Sequence, residues 1–400
     1  MKKTLIALAV LAASGASFAQ VTVTGTLAMG HKLTTSVGTN AITLSPFLGG
    51  TAIPATSGAD ASGFGVDTSE IDFVATEDLG GGQKIEAALA LAGADRSGES
   101  GNGTVQGRDA TLTYTNNSFG RIQLGTTKDA AIHSGIPSAG APVVDMDGKL
   151  FQIRSSSDFV SYAAPIGPVV FVYKLSESSA GIGLGEGTSG AAGTKVGQRT
   201  SDFVLVYNKG PLDLVGAYRA YDNRNSATIA TAEGLTKDSV FAVQAGYNFG
   251  VAKVGFGMNS TTASVGPKVT DMMLGVSVPM GALTFGMTLG RATTSGVSDA
   301  AVSAFPGTNA FQNAGFKAAM QLADGTANSM SFGAKYDLSK RTNLTVKYAT
   351  WTRSGYEQFE AYGAAVKAAG GGAAASVASL NQFGYSANAS ETSLVLSHSF

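Results

Sequence analysis

The chain has 400 residues, with 27 Lys and Arg against 28 Asp and Glu, a formal net charge of −1, no cysteine, and only 14% charged residues beside 53 glycines. The even charge balance excludes a strongly basic face, and with it nucleic acid as a partner; the missing cysteine excludes disulfide staples, thiolate metal sites and cysteine nucleophiles. Scarce charge with abundant glycine is unusual for a soluble protein of this length, but it suits a barrel whose outer face meets lipid over a band roughly 25 Å tall.

Residues 1–19 read as a cleaved secretory signal peptide. Lys2 and Lys3 form a basic start, Leu5 to Ala13 an apolar stretch, and Ser17-Phe18-Ala19 a small-x-small site before Gln20. The apolar stretch falls short of the roughly 20 residues that a transmembrane helix needs. Nothing after it marks a linker or a composition break, so residues 20–400 are expected to form one domain.

Sixteen segments then alternate apolar and polar residues with a period of two: Val21–Thr34, Phe64–Asp78, Lys84–Leu91, Arg108–Thr115, Arg121–Thr126, Asp158–Ala164, Val169–Leu175, Arg199–Tyr207, Leu212–Tyr221, Ser239–Asn248, Ala252–Ser260, Val269–Val278, Leu283–Arg291, Ser329–Asp337, Asn343–Arg353 and Glu391–Phe400. The connections between them are alternately short and long. The short ones, such as Leu79-Gly80-Gly81-Gly82, Pro165-Ile166-Gly167-Pro168 and Asn208-Lys209-Gly210-Pro211, carry the glycine, asparagine and proline of tight turns. This rhythm predicts an all-β, 16-stranded antiparallel barrel of up-and-down topology, with hairpins at one face and long loops at the other. An even count lets the first and last strands pair and leaves no edge.

The faces separate along the strands. Leu344, Val346 and Tyr348 oppose Thr345, Lys347 and Ala349; Ile85, Ala87, Leu89 and Leu91 oppose Lys84 and Glu86. Alternation alone also fits a soluble barrel or sandwich with its apolar face inward. The export signal, the low charge and the aromatics beside the short turns (Tyr162, Tyr207, Tyr247, Phe249, Tyr336) favour lipid outside and water inside. With no helix-length apolar run after residue 20, a crossing must be made by a closed sheet.

Glu77-Asp78-Leu79-Gly80-Gly81-Gly82 at the first hairpin, Tyr336-Asp337-Leu338-Ser339-Lys340-Arg341-Thr342 at the last short turn, and the terminal Phe400 resemble the Gram-negative general porin family, particularly its beta-proteobacterial branch. The resemblance implies a trimeric outer-membrane channel for passive diffusion of small hydrophilic solutes, with short periplasmic turns and long extracellular loops. It also implies outer-membrane lipid and lipopolysaccharide as surroundings and a final Phe400 read by the outer-membrane insertion machinery. In such channels the third long loop folds inward and narrows the pore. Here that loop is 126–157, in which Asp129, His133, Asp145, Asp147, Lys149 and Arg154 are the candidate constriction residues. Many relatives carry an arginine just after the Leu-Gly of the fifth strand; this chain reads Leu124-Gly125-Thr126-Thr127-Lys128, so the resemblance does not carry an anion preference with it.

Face assignment puts Lys32, Lys84, Arg121, Lys174, Arg219, Lys253, Lys335 and Lys347 on the expected pore-lining wall, with Glu70, Asp72, Glu86, Asp109, Asp202, Asp213, Asp271 and Asp337 as the acids. So even an inventory predicts weak ion selectivity. A substrate-specific outer-membrane channel is the alternative, although Trp351 and scattered tyrosines make no aromatic track. An enzyme needs a histidine beside a nucleophile or carboxylate, and His31, His133 and His398 offer at most His133 near Asp129. No cofactor or metal is expected: Asp145-Met146-Asp147-Gly148 starts like a calcium loop, but Ser156 stands where the closing glutamate belongs. Gly181-Ile182-Gly183-Leu184-Gly185 lies in a long loop and does not open a helix, so it makes no nucleotide cradle.

Overall fold

The computed structural model describes residues 20–38, 42–43, 52–53, 57–93, 105–128, 156–178, 199–222, 237–263, 268–295, 325–353 and 388–400. The strands are β1 (Gln20–Ser36), β2 (Ile42–Thr43), β3 (Ala52–Ile53), β4 (Ala59–Gly80), β5 (Gln83–Ala92), β6 (Gln106–Asn116), β7 (Gly120–Lys128), β8 (Ser156–Ile166) and β9 (Val169–Ser178). They continue as β10 (Arg199–Lys209), β11 (Leu212–Asp222), β12 (Lys237–Asn248), β13 (Lys253–Ala263), β14 (Lys268–Met280), β15 (Leu283–Ser295), β16 (Gly325–Asp337), β17 (Thr342–Arg353) and β18 (Ala389–Ser399). The two-residue strands β2 and β3 pair only with each other; the other sixteen close one antiparallel barrel in which β1 lies between β4 and β18. Each of the sixteen coincides with one of the segments read from the alternation, with only Ala252 and Phe400 of those segments falling one residue outside their strands.

Turn chemistry sets the hairpins. Between β8 and β9, and again between β10 and β11, the loop is a Gly-Pro pair, with Gly167 at φ 61° and Gly210 at φ 66°. Proline holds its own φ near −65°, so the first position alone must take the positive φ, as in a type II′ turn whose twist matches the flanking strands.

Register around the closed ring fixes which side chains share a face. Leu27, Leu89, Leu124, Leu205, Leu274, Phe332 and Leu394 are all substantially exposed and lie on one side. Asp202, Gln244, Asn259, Thr261, Ser277, Thr288, Ser331 and Ser393 are buried and lie on the other. Side chains splay on the convex side of a barrel and crowd on the concave side, so the apolar set is outer and the polar set inner. This arrangement buries nothing in water but suits hydrocarbon.

Among the described residues the polar-inside rule has exceptions, gathered most clearly in two places. On β9, β10 and β11 the inner side carries Val170, Val172, Val204, Val206 and Val215 in neighbouring rows, with only Asn208 and Asp213 between them and the turn joining β10 to β11. Nearer the long loops of β14 to β18, Met273, Ala292, Ala327, Ala349, Trp351 and Ala389 form an inner apolar cluster, every member buried. Alternation predicts which positions share a side, but strands apolar on both faces carry no contrast from which to read it.

The seam between the ends is tight. Phe400 N–H donates to the Gly25 carbonyl at 3.0 Å, and Gly25 N–H donates to the Phe400 carbonyl at 3.1 Å. A Cβ at Gly25 would stand 2.5 Å from Cζ of the Phe400 ring, so this glycine gives the ring its place.

Candidate functional site

The inner wall is the site, and its charges are set by strand parity. Lys84 and Glu86 follow each other on the inner side of β5, with Lys84 Nζ 3.2 Å from Glu86 Oε2, which also accepts from Thr76 Oγ1. Lys335 Nζ lies 3.4 Å from Asp337 Oδ1 in the same i, i+2 relation on β16. Glu70 is joined by Arg108, a base that alternation did not assign to the wall. The register between β5 and β6 shifts at Leu89/Leu91, and Arg108 and Asp109 fall in that irregular stretch, where counting by twos loses the face.

The most enclosed group spans β9, β10 and β11. Asp202 stands opposite Lys174 on one neighbour and Arg219 on the other. Arg219 Nε donates to Asp202 Oδ1 at 2.6 Å and its Nη2 to Oδ2 at 2.7 Å, a two-pronged contact that fixes both side chains. Lys174 Nζ also rests 4.5 Å from the centre of the Phe159 ring, and the Arg219 guanidinium lies 6.0 Å from that of Tyr221. The valines of the inner wall begin directly beneath.

Across the barrel, β17, β18, β1 and β4 carry a second, more open group. Lys347, Ser393, Lys32 and Gly63 lie in one transverse row. Lys32 Nζ is 3.3 Å from Oε2 of Glu391, whose side chain is buried; Glu391 was another inner acid that alternation left unassigned. Its parity with Leu394 and Leu396 on β18 would have placed it, since those two outward leucines put the odd positions inside.

The remaining wall residues take inner positions as well. Arg121 faces Thr115 and Ala163, Lys253 faces Asn248 and Ser277, Asp72 faces Thr24 and Ala90, and Asp213 faces Asn208 and Gly246. Asp271, fully buried, lies between Asn259 and Ala292. Asp129, His133, Asp145, Asp147, Lys149 and Arg154 lie outside the described residues. His31 packs edge-on to Phe64 and His398 contacts Thr342 Oγ1 through Nδ1 at 2.9 Å; both histidines are on the outer side. A further ion pair, Arg199 Nε to Glu177 Oε1 at 2.7 Å, is also outer, because it shares parity with Phe203 and Tyr173.

A wall of this kind is built from ion-paired side chains placed by strand register. It offers paired charges to whatever moves along the lumen. Comparison with known proteins adds the family. The model of the Gram-negative porin family matches residues 4–356. Outer membrane porin protein 32 of Delftia acidovorans is 32% identical over 312 residues, covering 70% of this chain and 77% of that one. Among solved structures, an anion-selective porin from Comamonas acidovorans matches with a TM-score of 0.55 at 20% identity, covering 96% of this chain and all of that one. The outer membrane channel DcaP of Acinetobacter baumannii matches with a TM-score of 0.58 at 14% identity, over 96% of this chain and 98% of its own.

Proposed function

The chain belongs to the Gram-negative porin family, and from that premise we propose a weakly selective, non-enzymatic pore assembled as a trimer. As a family member it forms a water-filled channel in the bacterial outer membrane, through which small hydrophilic solutes and ions diffuse passively. One observation carries the weak selectivity: the inner acids Glu86, Asp202, Asp337 and Glu391 each sit within ion-pair distance of an inner base. Paired charges largely cancel at the pore axis, so little net potential remains to sort cations from anions.

The Comamonas relative is described as anion-selective. Here the departure at Leu124-Gly125-Thr126-Thr127-Lys128 speaks against inheriting that preference. Residues 1–19 act as the export leader in this reading, Phe400 as the assembly signal, and the loop containing Asp129, His133, Asp145, Asp147, Lys149 and Arg154 as the constriction.

Reconstitution into planar bilayers tests the whole reading. Conductance rising in groups of three steps supports the trimer. A reversal potential near zero under a salt gradient supports weak selectivity, and a strongly anionic or cationic one overturns it. Charge reversal at Lys149 together with Arg154 tests the loop; an unchanged permeability ratio removes that loop from the argument.

A further inference from the structure

The Lys32 side of the wall carries an open recess of about 750 Å³ at the end of β1 and β4, lined by residues of β1, β4, β17 and β18 and reaching the outward His31 and Phe64. Its shape comes from missing side chains. Gly63 and Gly65 line it, and a Cβ added at either would meet nothing within 4 Å.

The charges around the recess are unevenly matched. Lys32 and Glu391 satisfy each other across its middle. Lys347, also in the lining, has no anionic partner among the described residues. Asp67 lines the recess at the irregularity where the β1–β4 register shifts between Ala28 and Met29. Its contact among the described residues is with a neutral hydroxyl, Thr68 Oγ1 donating to Oδ2 at 3.2 Å. A spare cation and a spare anion therefore share one cavity, with the hydroxyl-bearing Thr34, Thr68 and Ser393 also in its lining.

Spacing selects the ligand. Lys347 is three strands from β4 on the row that ends at Gly63, and Asp67 is four residues further along β4. At about 4.8 Å per strand and about 3.3 Å per residue the two backbones are roughly 19 Å apart, which leaves about 13 Å between the charges of a ligand once an ion contact of about 3 Å is set at each end. That is the span of an extended peptide of roughly four residues at about 3.4 Å each.

We propose that this recess is a saturable subsite for short zwitterionic peptides, the terminal carboxylate on Lys347 and the terminal ammonium on Asp67. The inference rests on the channel reading above. Ser393, beside Lys347 in the transverse row, meets the peptide amides, and the glycine floor leaves room for side chains. A free inorganic anion uses Lys347 alone and gains nothing from Asp67.

The test is current block by tetra-alanine in single channels at about 0.1 M KCl, where screening is modest, with N-acetyl-tetra-alanine amide as control. Block is read against each variant's own open-channel conductance. Tetra-alanine is expected to block saturably, and the capped peptide on the order of a hundredfold more weakly, because both charge-assisted contacts are lost. Lys347→Gln and Asp67→Asn should each weaken tetra-alanine block by about tenfold, and Gly63→Leu should weaken it by filling the space without backbone strain. Equal block by the two peptides, a block that does not saturate, or block unaltered in Lys347→Gln and Asp67→Asn overturns the subsite while leaving the channel intact. Absence of any conductance steps in KCl sinks the channel reading instead.

Discussion

Two stretches of one inner wall use the same ingredients to opposite ends. On β9 to β11 an acid is held tightly by one neighbour and faced by a second base: the Arg219 and Asp202 side chains are 18% and 10% exposed and meet through two hydrogen bonds. On β17 to β4 the base of the pair is 58% exposed, a single contact of 3.3 Å holds it, and a second lysine stands by with a recess in front of it. The difference teaches that a charge on a pore wall is not by itself a selectivity element. Where neighbours on both strands are long or aromatic, as Lys174, Phe159 and Tyr221 are, the charge becomes a brace. Where they are Gly63 and Ser393, it remains available to solutes.

Breaking the brace should have the largest consequence. Arg219→Ala leaves Asp202 facing only Lys174 in an enclosed site, and we expect a loss of about 2–3 kcal/mol in barrel stability, read by urea unfolding in detergent micelles. A loss under about 0.5 kcal/mol would show that the brace is no tighter than a surface pair. Gly25→Val comes next: the new side chain collides with the Phe400 ring at the seam, which is expected to cost roughly 1–3 kcal/mol by the same measurement. Lys32→Gln, on the open side, should cost less, about 1 kcal/mol, because Lys32 itself is largely in water although the buried Glu391 loses its ion pair.

Selectivity sharpens the contrast further. Asp202→Asn removes the acid between two bases, so the ratio of chloride to potassium permeability should rise about twofold, measured from reversal potentials at low salt. The smallest effect is that of ionic strength on this variant. Raising salt from about 0.1 M to 1 M shortens the screening length from about 10 Å to 3 Å, and the shift should shrink toward the parent value. A shift that persists at high salt would place Asp202 at a narrow, poorly screened point of the pore.

Much of this was legible in the residues. Leu344, Val346 and Tyr348 against Thr345 and Lys347 fixed both the strand and its faces, and Gly167-Pro168 fixed a hairpin. The inner valines were not legible, because Val170-Phe171-Val172 and Val204-Leu205-Val206 are apolar at every position and have no contrast to read. Arg108 was missed because a register shift breaks counting by twos. The recess was missed for a different reason: it is made by Gly63 and Gly65, which say nothing about what surrounds them.

The alternation of side chains along each segment, and the turn residues between segments, determined by themselves sixteen antiparallel strands with one apolar and one polar side, since a period of two and a tight turn are local properties of the backbone. Only the closed ring decided that Lys32 meets Glu391, that Arg219 rather than another base takes Asp202, and that Phe400 rests on Gly25. Those are contacts between strands, and transverse register depends on how the whole sheet closes, which no single segment encodes.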